Sequence, residues 1–222
     1  MNKKLSRFAA ALALCLTAVV STSVEAVPVY DTFAPGNSYY TGSGWTVGSY
    51  AGYFTGDAFS VSQDSTLNFI ELAAWLVSGT NDLAVTLRAD SGGLPGTVLE
   101  TFSFTGQLAP ANQTPSSANI LTGTSLLNTL LTAGTQYWLI AEYTVADTWA
   151  AWYYGDTSNL GQHAVSSNGG QSWSLYSSVP LGALRVDATP VPVTSVPEPT
   201  TLSLLGAALF GFGLIRRRNR RT

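Results

Sequence analysis

Leu83, Val85 and Leu87 alternate with Asp82, Ala84, Thr86 and Arg88. A hydrophobic period of two is the signature of a strand with one face in a core. The same period recurs in Tyr137, Leu139, Ala141, Tyr143 and Val145, set against Trp138, Ile140, Glu142 and Thr144. Leu184 and Val186 alternate with Arg185 and Asp187 and form a candidate last strand. Shorter runs predict further strands over Val29–Phe33, Trp45–Tyr50, Ala58–Gln63, Thr97–Thr105, Thr148–Tyr154 and Gln171–Leu175. The run Thr66–Val77 reads either way, because Leu72-Ala73-Ala74-Trp75-Leu76 also suits a helix. Turn-forming clusters punctuate these runs at Ser78–Asn81, Asp90–Gly96 and Ala133-Gly134, and residues 106–118 read as a long loop. Nine or ten short strands at such spacing predict an all-β single domain over residues 27–188, a β-sandwich with jelly-roll-like character. No repeat of 20–50 residues is present, which argues against solenoids and propellers.

Two apolar runs break the pattern, one at each end. Phe8–Val20 follows Lys3, Lys4 and Arg7 and precedes Val24-Glu25-Ala26. Charged start, apolar middle and small residues predict a signal peptide over 1–26, cleaved before Val27. Its partners are then the Sec machinery and signal peptidase. Cys15, the one cysteine, lies inside that run, so the exported chain has none and must be held by its core alone. At the other end, residues 189–199 carry four prolines and form a linker. Residues 200–215 predict a short transmembrane helix. As a helix, its fourteen-residue apolar run Leu202–Ile215 spans about 21 Å, less than a ~30 Å hydrocarbon core. The tail 216–222 holds Arg216, Arg217, Arg218, Arg220 and Arg221, which stop transfer and keep this end cytoplasmic.

Charge follows the same division. Between residues 27 and 195 the only basic residues are Arg88 and Arg185, against eleven acids, a net charge of −9. Charged residues make up only 10% of the chain. This composition excludes a polybasic nucleic-acid binder.

Val196-Pro197-Glu198-Pro199, then a short Leu- and Gly-rich apolar stretch, then the arginines at the end, resembles the PEP-CTERM sorting signal of Gram-negative bacteria. The resemblance implies processing near the motif by exosortase, a membrane-embedded cysteine protease or transpeptidase. It also implies an association with exopolysaccharide and biofilm. The helix would then be a temporary inner-membrane anchor, and the product would reach the cell surface or the exterior. In the body, Tyr30–Phe33 (YDTF), Asp90–Gly96 (DSGGLPG), Ala133–Leu139 (AGTQYWL), Asp147–Trp152 (DTWAAW) and Ser166–Trp173 (SSNGGQSW) are similar to choice-of-anchor domains, R type. That likeness implies the β fold and no particular activity.

Catalytic chemistry has little to stand on. His163 is the one histidine and reads as a loop residue; Ser166 and Ser167 lie near it with no orienting motif. A zinc site needs more ligands than that. Glycoside hydrolysis needs two carboxylates. Glu71, Glu100, Glu142, Asp147 and Asp156 are candidates, with Glu142 opposite the apolar face of its strand. The expectation is a protein that is not an enzyme. Calcium is the one cofactor the pattern admits, through aspartates at strand or loop ends, Asp31 and Asp57 among them and Asp90, Asp147 and Asp156 foremost. Ser166–Trp173 resembles the Asp-box, a structural hairpin, with Asn168 in the Asp place and Ser172 in the Thr place, which implies a tight turn over Trp173. The best binding lead is aromatic. In the strand ending at Tyr154, Trp149 and Tyr153 share one face, Trp152 and Tyr154 the other. Trp152 and Tyr154, joined by Tyr39, Tyr40 and Tyr176, would form a platform on which sugar rings stack. Three readings follow in order: a non-catalytic surface or matrix protein, a carbohydrate-binding module, and a glycan-active hydrolase.

Overall fold

The computed structural model describes residues 27–48, 50, 52–110, 120–156 and 158–192. The signal peptide, Val196–Pro199, the helix 200–215 and the terminal arginines lie outside the described residues. The described residues form fourteen strands: β1 (Val27–Asp31), β2 (Tyr40–Gly48), β3 (Phe54–Ser60), β4 (Ser65–Ser78), β5 (Ala84–Asp90), β6 (Pro95–Ser103), β7 (Ala109–Pro110), β8 (Ile120–Thr124), β9 (Leu130–Leu131), β10 (Gln136–Glu142), β11 (Trp149–Tyr154), β12 (Leu160–Ser166), β13 (Ser174–Pro180) and β14 (Leu184–Pro190). No helix occurs among them. The last strand ends two residues beyond the expected limit at 188.

The ambiguous run is a strand, and a long one. One edge of β4 pairs with β14 along Ser65–Leu72 and with β11 along Ala74–Ser78. The other edge takes β9, β8 and β7 in turn. Strands β1 and β2 extend the sheet to β1-β14-β4-β11-β2. The register against β14 shifts between Asp187 and Ala188, beside Asn68. Leu67 and Ile70 therefore both reach the core although three residues apart. The stretch Leu72-Ala73-Ala74-Trp75-Leu76 looked helical because both faces of the strand are covered there: Leu72 and Ala74 face the core, while Ala73 and Trp75 pack with Tyr153 on the outer side.

The second sheet runs β13-β12-β3-β10-β5-β6. Between the sheets lie Ile70, Leu72 and Ala74 from β4, Val85 and Leu87 from β5, Tyr137, Leu139 and Ala141 from β10, and Trp152 from β11. The outer faces are partly covered too. Phe33 and Tyr39 close over Ala73 and Tyr153 on the first sheet. Trp173 packs with Trp138, Ile140 and Ala164 on the second. The turn above Trp173 has the geometry the sequence implied. Ser166 Oγ accepts from the N–H groups of Asn168 and Gly170, and Asn168 bridges Ser166 and Ser172.

Glu100 is one of the few buried carboxylates. It accepts from the Ser125 and Thr129 hydroxyls and from the Leu126 and Leu127 N–H groups, pinning the turn between β8 and β9. Burial pushes its pKa up, but these four donors outweigh it and hold the carboxyl below its ordinary range. A carboxylate lowered in the folded state stabilises above the unfolded value, near ~4.3, and loses that contribution as pH falls through the folded value. Glu100→Gln is expected to cost about 1–3 kcal/mol at pH 7. The gap to wild type should narrow on acidification below about pH 4, as denaturant titrations at the two pH values would show.

Candidate functional site: an aromatic cleft over a buried Asp–His–Thr chain

Edge strand β2 carries an irregularity that opens the sandwich. Its register against β11 jumps from Tyr153↔Gly44 to Tyr154↔Tyr40, so Thr41, Gly42 and Ser43 are looped out. Gly44 is required there, since a Cβ would fall 2.2 Å from the Trp152 carbonyl oxygen. Beside this break the indole of Trp45 turns inward and donates to the Pro180 carbonyl across the gap between the sheets. Around it lies a cleft of about 370 Å³, lined by Gly44, Trp45, Thr46, Tyr53, Thr55, Tyr154, Val165 and Tyr176. That is the lower end of the range for small-ligand sites, ~300–1,000 Å³. Tyr154 meets Trp45 edge-on at 5.5 Å, and Tyr176 lies tilted at 6.5 Å. Tyr53 and Tyr176 remain 36% and 47% exposed. No lining side chain is charged.

Beneath Trp45 runs a fully buried polar chain. The His163 ring stacks on Trp45 with centroids 3.7 Å apart. Its Nδ1 meets Asp57 Oδ1 at 2.6 Å and its Nε2 meets Thr55 Oγ1 at 2.5 Å. The other Asp57 oxygen accepts from the Gly182 N–H at 2.7 Å. Burial pushes the Asp57 carboxyl up; the hydrogen bond and charge of His163 and the Gly182 N–H oppose this without cancelling it. Burial, and then the charge of Asp57, also raise the nearby Tyr30 phenol. The order acid–imidazole–hydroxyl is that of a nucleophilic relay. Here, however, all three groups are closed off from solvent, and Thr55 reaches only the cleft floor.

Several expected site residues take other places. Trp152 is wholly buried, with its indole N–H on the Ala183 carbonyl, because the inner face of β11 meets the second sheet. It therefore offers no stacking surface, which corrects the expectation. Tyr39 is buried as well, its ring tilted against Tyr153 at 5.1 Å beside Phe33. Tyr40 is exposed but folds over Gly42 and does not line the cleft. Tyr154 does line it, as does Tyr176. Trp45, Tyr53 and Thr55 were missed as site residues. His163 lies in a strand, not a loop.

The carboxylates are dispersed. Glu142 pairs with Arg88 at 2.7 Å and accepts from Thr86. Glu71 pairs with Arg185 at 2.9 Å. Asp90 accepts from the Gly93 N–H, the Trp138 indole and the Gln136 amide; burial pushes its pKa up, yet those donors hold it below its ordinary range. Asp156 accepts from the Ser158 N–H and hydroxyl, which lower it. Asp147 borders a separate opening of about 570 Å³ with Tyr50 and Trp149. Among the described residues no three His, Cys, Asp or Glu side chains gather into a metal site, so Asp90, Asp147 and Asp156 are not brought together around a calcium ion.

Residues 195–219 match the PEP-CTERM protein-sorting motif. The motif indicates an exported protein, sorted by an exosortase and processed while anchored in the membrane of a Gram-negative bacterium. No curated protein matches the chain.

Proposed function

We propose that the chain is a non-catalytic surface or matrix protein whose β-sandwich holds exopolysaccharide in the Trp45–Tyr176 cleft. The observation that carries this reading is the lining: the rings and hydroxyls of three tyrosines, a tryptophan, and no charge. Ring faces match the C–H faces of a sugar, and hydroxyls match its edges. A neutral cleft also avoids placing more charge against a glycan on a body already strongly acidic. A glycosidase is less well supported, since the lining supplies neither of the two carboxylates such chemistry uses. Acyl transfer through Thr55 is disfavoured by its burial under Trp45. On this reading the sorting tail delivers the sandwich to the cell surface, and the cleft joins it to the biofilm polysaccharide there.

Tyr53→Ala and Tyr176→Ala remove half-exposed rings and should leave the melting temperature nearly unchanged. Each is expected to weaken retention in affinity electrophoresis through the producing cell's own polysaccharide by about tenfold or more. Unchanged retention in the double variant, or no retention of the wild type, would overturn the reading.

A further inference from the structure

The turn between β8 and β9 holds hydrophobic side chains out in water. Leu126, Leu127 and Leu130 are 85%, 66% and 55% exposed, whereas Leu131 is fully buried. The turn is rigidly built. Glu100 pins its N–H groups and hydroxyls from below, and Ser125 Oγ accepts from Asn128 N–H. The display is therefore fixed by the fold. Contiguous exposed apolar side chains on a fixed turn mark a contact surface.

Its position says what the surface meets. Ser65 at the start of β4 pairs with Leu131 on one side and with Pro190, the last residue of β14, on the other. Val27 at the start of β1 pairs with Ala188. The leucine turn thus stands at the end of the sandwich from which the chain leaves toward the sorting motif. Eleven residues separate Pro190 from Leu202, the first of the apolar run. At the polyproline II rise of ~3.1 Å per residue they would reach about 34 Å. Trp45 of the cleft is carried by β2, which joins the sheet through β11 beside the opposite half of β4. The turn itself carries no charged residue, and Glu100 beneath it is buried; the carboxylate at that end is Asp64, which accepts from the Ala133 N–H.

We infer that Leu126, Leu127 and Leu130 form a membrane-contacting surface, seated in the interfacial layer of the bilayer while the tail is anchored. The occupant is lipid, and the contact is apolar rather than electrostatic. It rests on the reading of residues 195–219 as a membrane-anchored sorting tail. On leaving the membrane the sandwich loses this contact, and the cleft side faces outward throughout.

The test uses the exported chain, residues 27–222, which has no cysteine of its own, carrying Leu127→Cys labelled with an environment-sensitive nitrobenzoxadiazole. A Thr80→Cys version, labelled at the opposite end of β4, is the control. Both are reconstituted in phosphatidylcholine vesicles containing spin-labelled lipid, and flotation is recorded alongside. The expected result is a blue-shifted Leu127 probe, quenched about twofold or more above the Thr80 probe. Leu126→Ser with Leu130→Ser should return it to the aqueous signal without changing flotation. Raised salt or added phosphatidylglycerol should leave the signal unchanged. Chains that float with equal quenching at both positions would overturn the inference and leave the tail reading standing. Chains that do not float would overturn both. A blue shift that appears without lipid and grows with protein concentration would give the surface to a second copy of the chain instead.

Discussion

Replacing Trp152 with alanine is expected to destabilise the sandwich by about 3–5 kcal/mol, the usual cost of emptying a large aromatic site in a core. At ~2–4 °C per kcal/mol for a domain of this size, the melting temperature falls by roughly 6–20 °C. The indole is completely buried, and its N–H satisfies the Ala183 carbonyl. The backbone of Gly182 lies directly on the ring, so that a Cβ at 182 would come within 2.4 Å of Cε2. Neither neighbour can fill the space without moving a strand connection. Trp152→Phe restores part of the volume and leaves the carbonyl unpaired, so it should fall between. Trp149→Ala, at a residue 46% exposed on the other face, should change stability by less than about 1 kcal/mol. Thermal melts of the three variants separate a core tryptophan from a surface one. A Trp152→Ala melt within a degree or two of wild type would contradict the packing described.

His163→Ala is expected to be as damaging for a different reason. Removing one member of a buried polar pair costs about 3–5 kcal/mol, because the other is left uncompensated. Here Asp57 keeps only the Gly182 N–H, the Thr55 hydroxyl loses its partner, and Trp45 loses the ring it stacks on. The pH dependence has a definite sign. Burial raises Asp57 in the folded state, so its contribution is most favourable below the ordinary carboxylate range and is lost as pH rises through the raised value. In wild type His163 opposes that rise. In His163→Ala the opposition is gone, so stability should fall more steeply than in wild type as pH rises above the ordinary carboxylate range. Adding Asp57→Asn should flatten the curve again. Equal slopes in wild type and His163→Ala would show that the pair does not couple.

The alternating strands were legible because their two faces differ in chemistry, as in β5 and β10. Strand β12 was not. It buries His163 on its inner face and Ala164 and Ser166 on its outer face, so each face mixes polar with apolar positions and the period of two disappears. The cleft was hidden for a related reason. Trp45, Tyr53, Tyr154 and Tyr176 are far apart in sequence and meet only because β2 lies at one sheet edge and the β12–β13 pair at the other. The dense cluster Trp149–Tyr154 drew attention instead, but density within one strand divides between two faces, and both faces of β11 are covered along Ala150–Tyr153. Asp57 and His163, 106 residues apart, gave no local motif. The Asp-box-like turn and the sorting motif were readable because each is a local pattern: one is closed by hydrogen bonds within a few residues, the other is an ordered string.

Export through the sorting tail is the claim on which the others depend. Its most direct test is the mass and cell fraction of the protein in the producing bacterium, for wild type and for Glu198→Ala. The account predicts wild-type protein beginning at Val27, shortened near Pro197–Pro199 and found outside the inner membrane, with the variant retained there at its longer mass. Wild-type protein recovered from the cytoplasm with residues 1–26 and 200–222 both intact would contradict it.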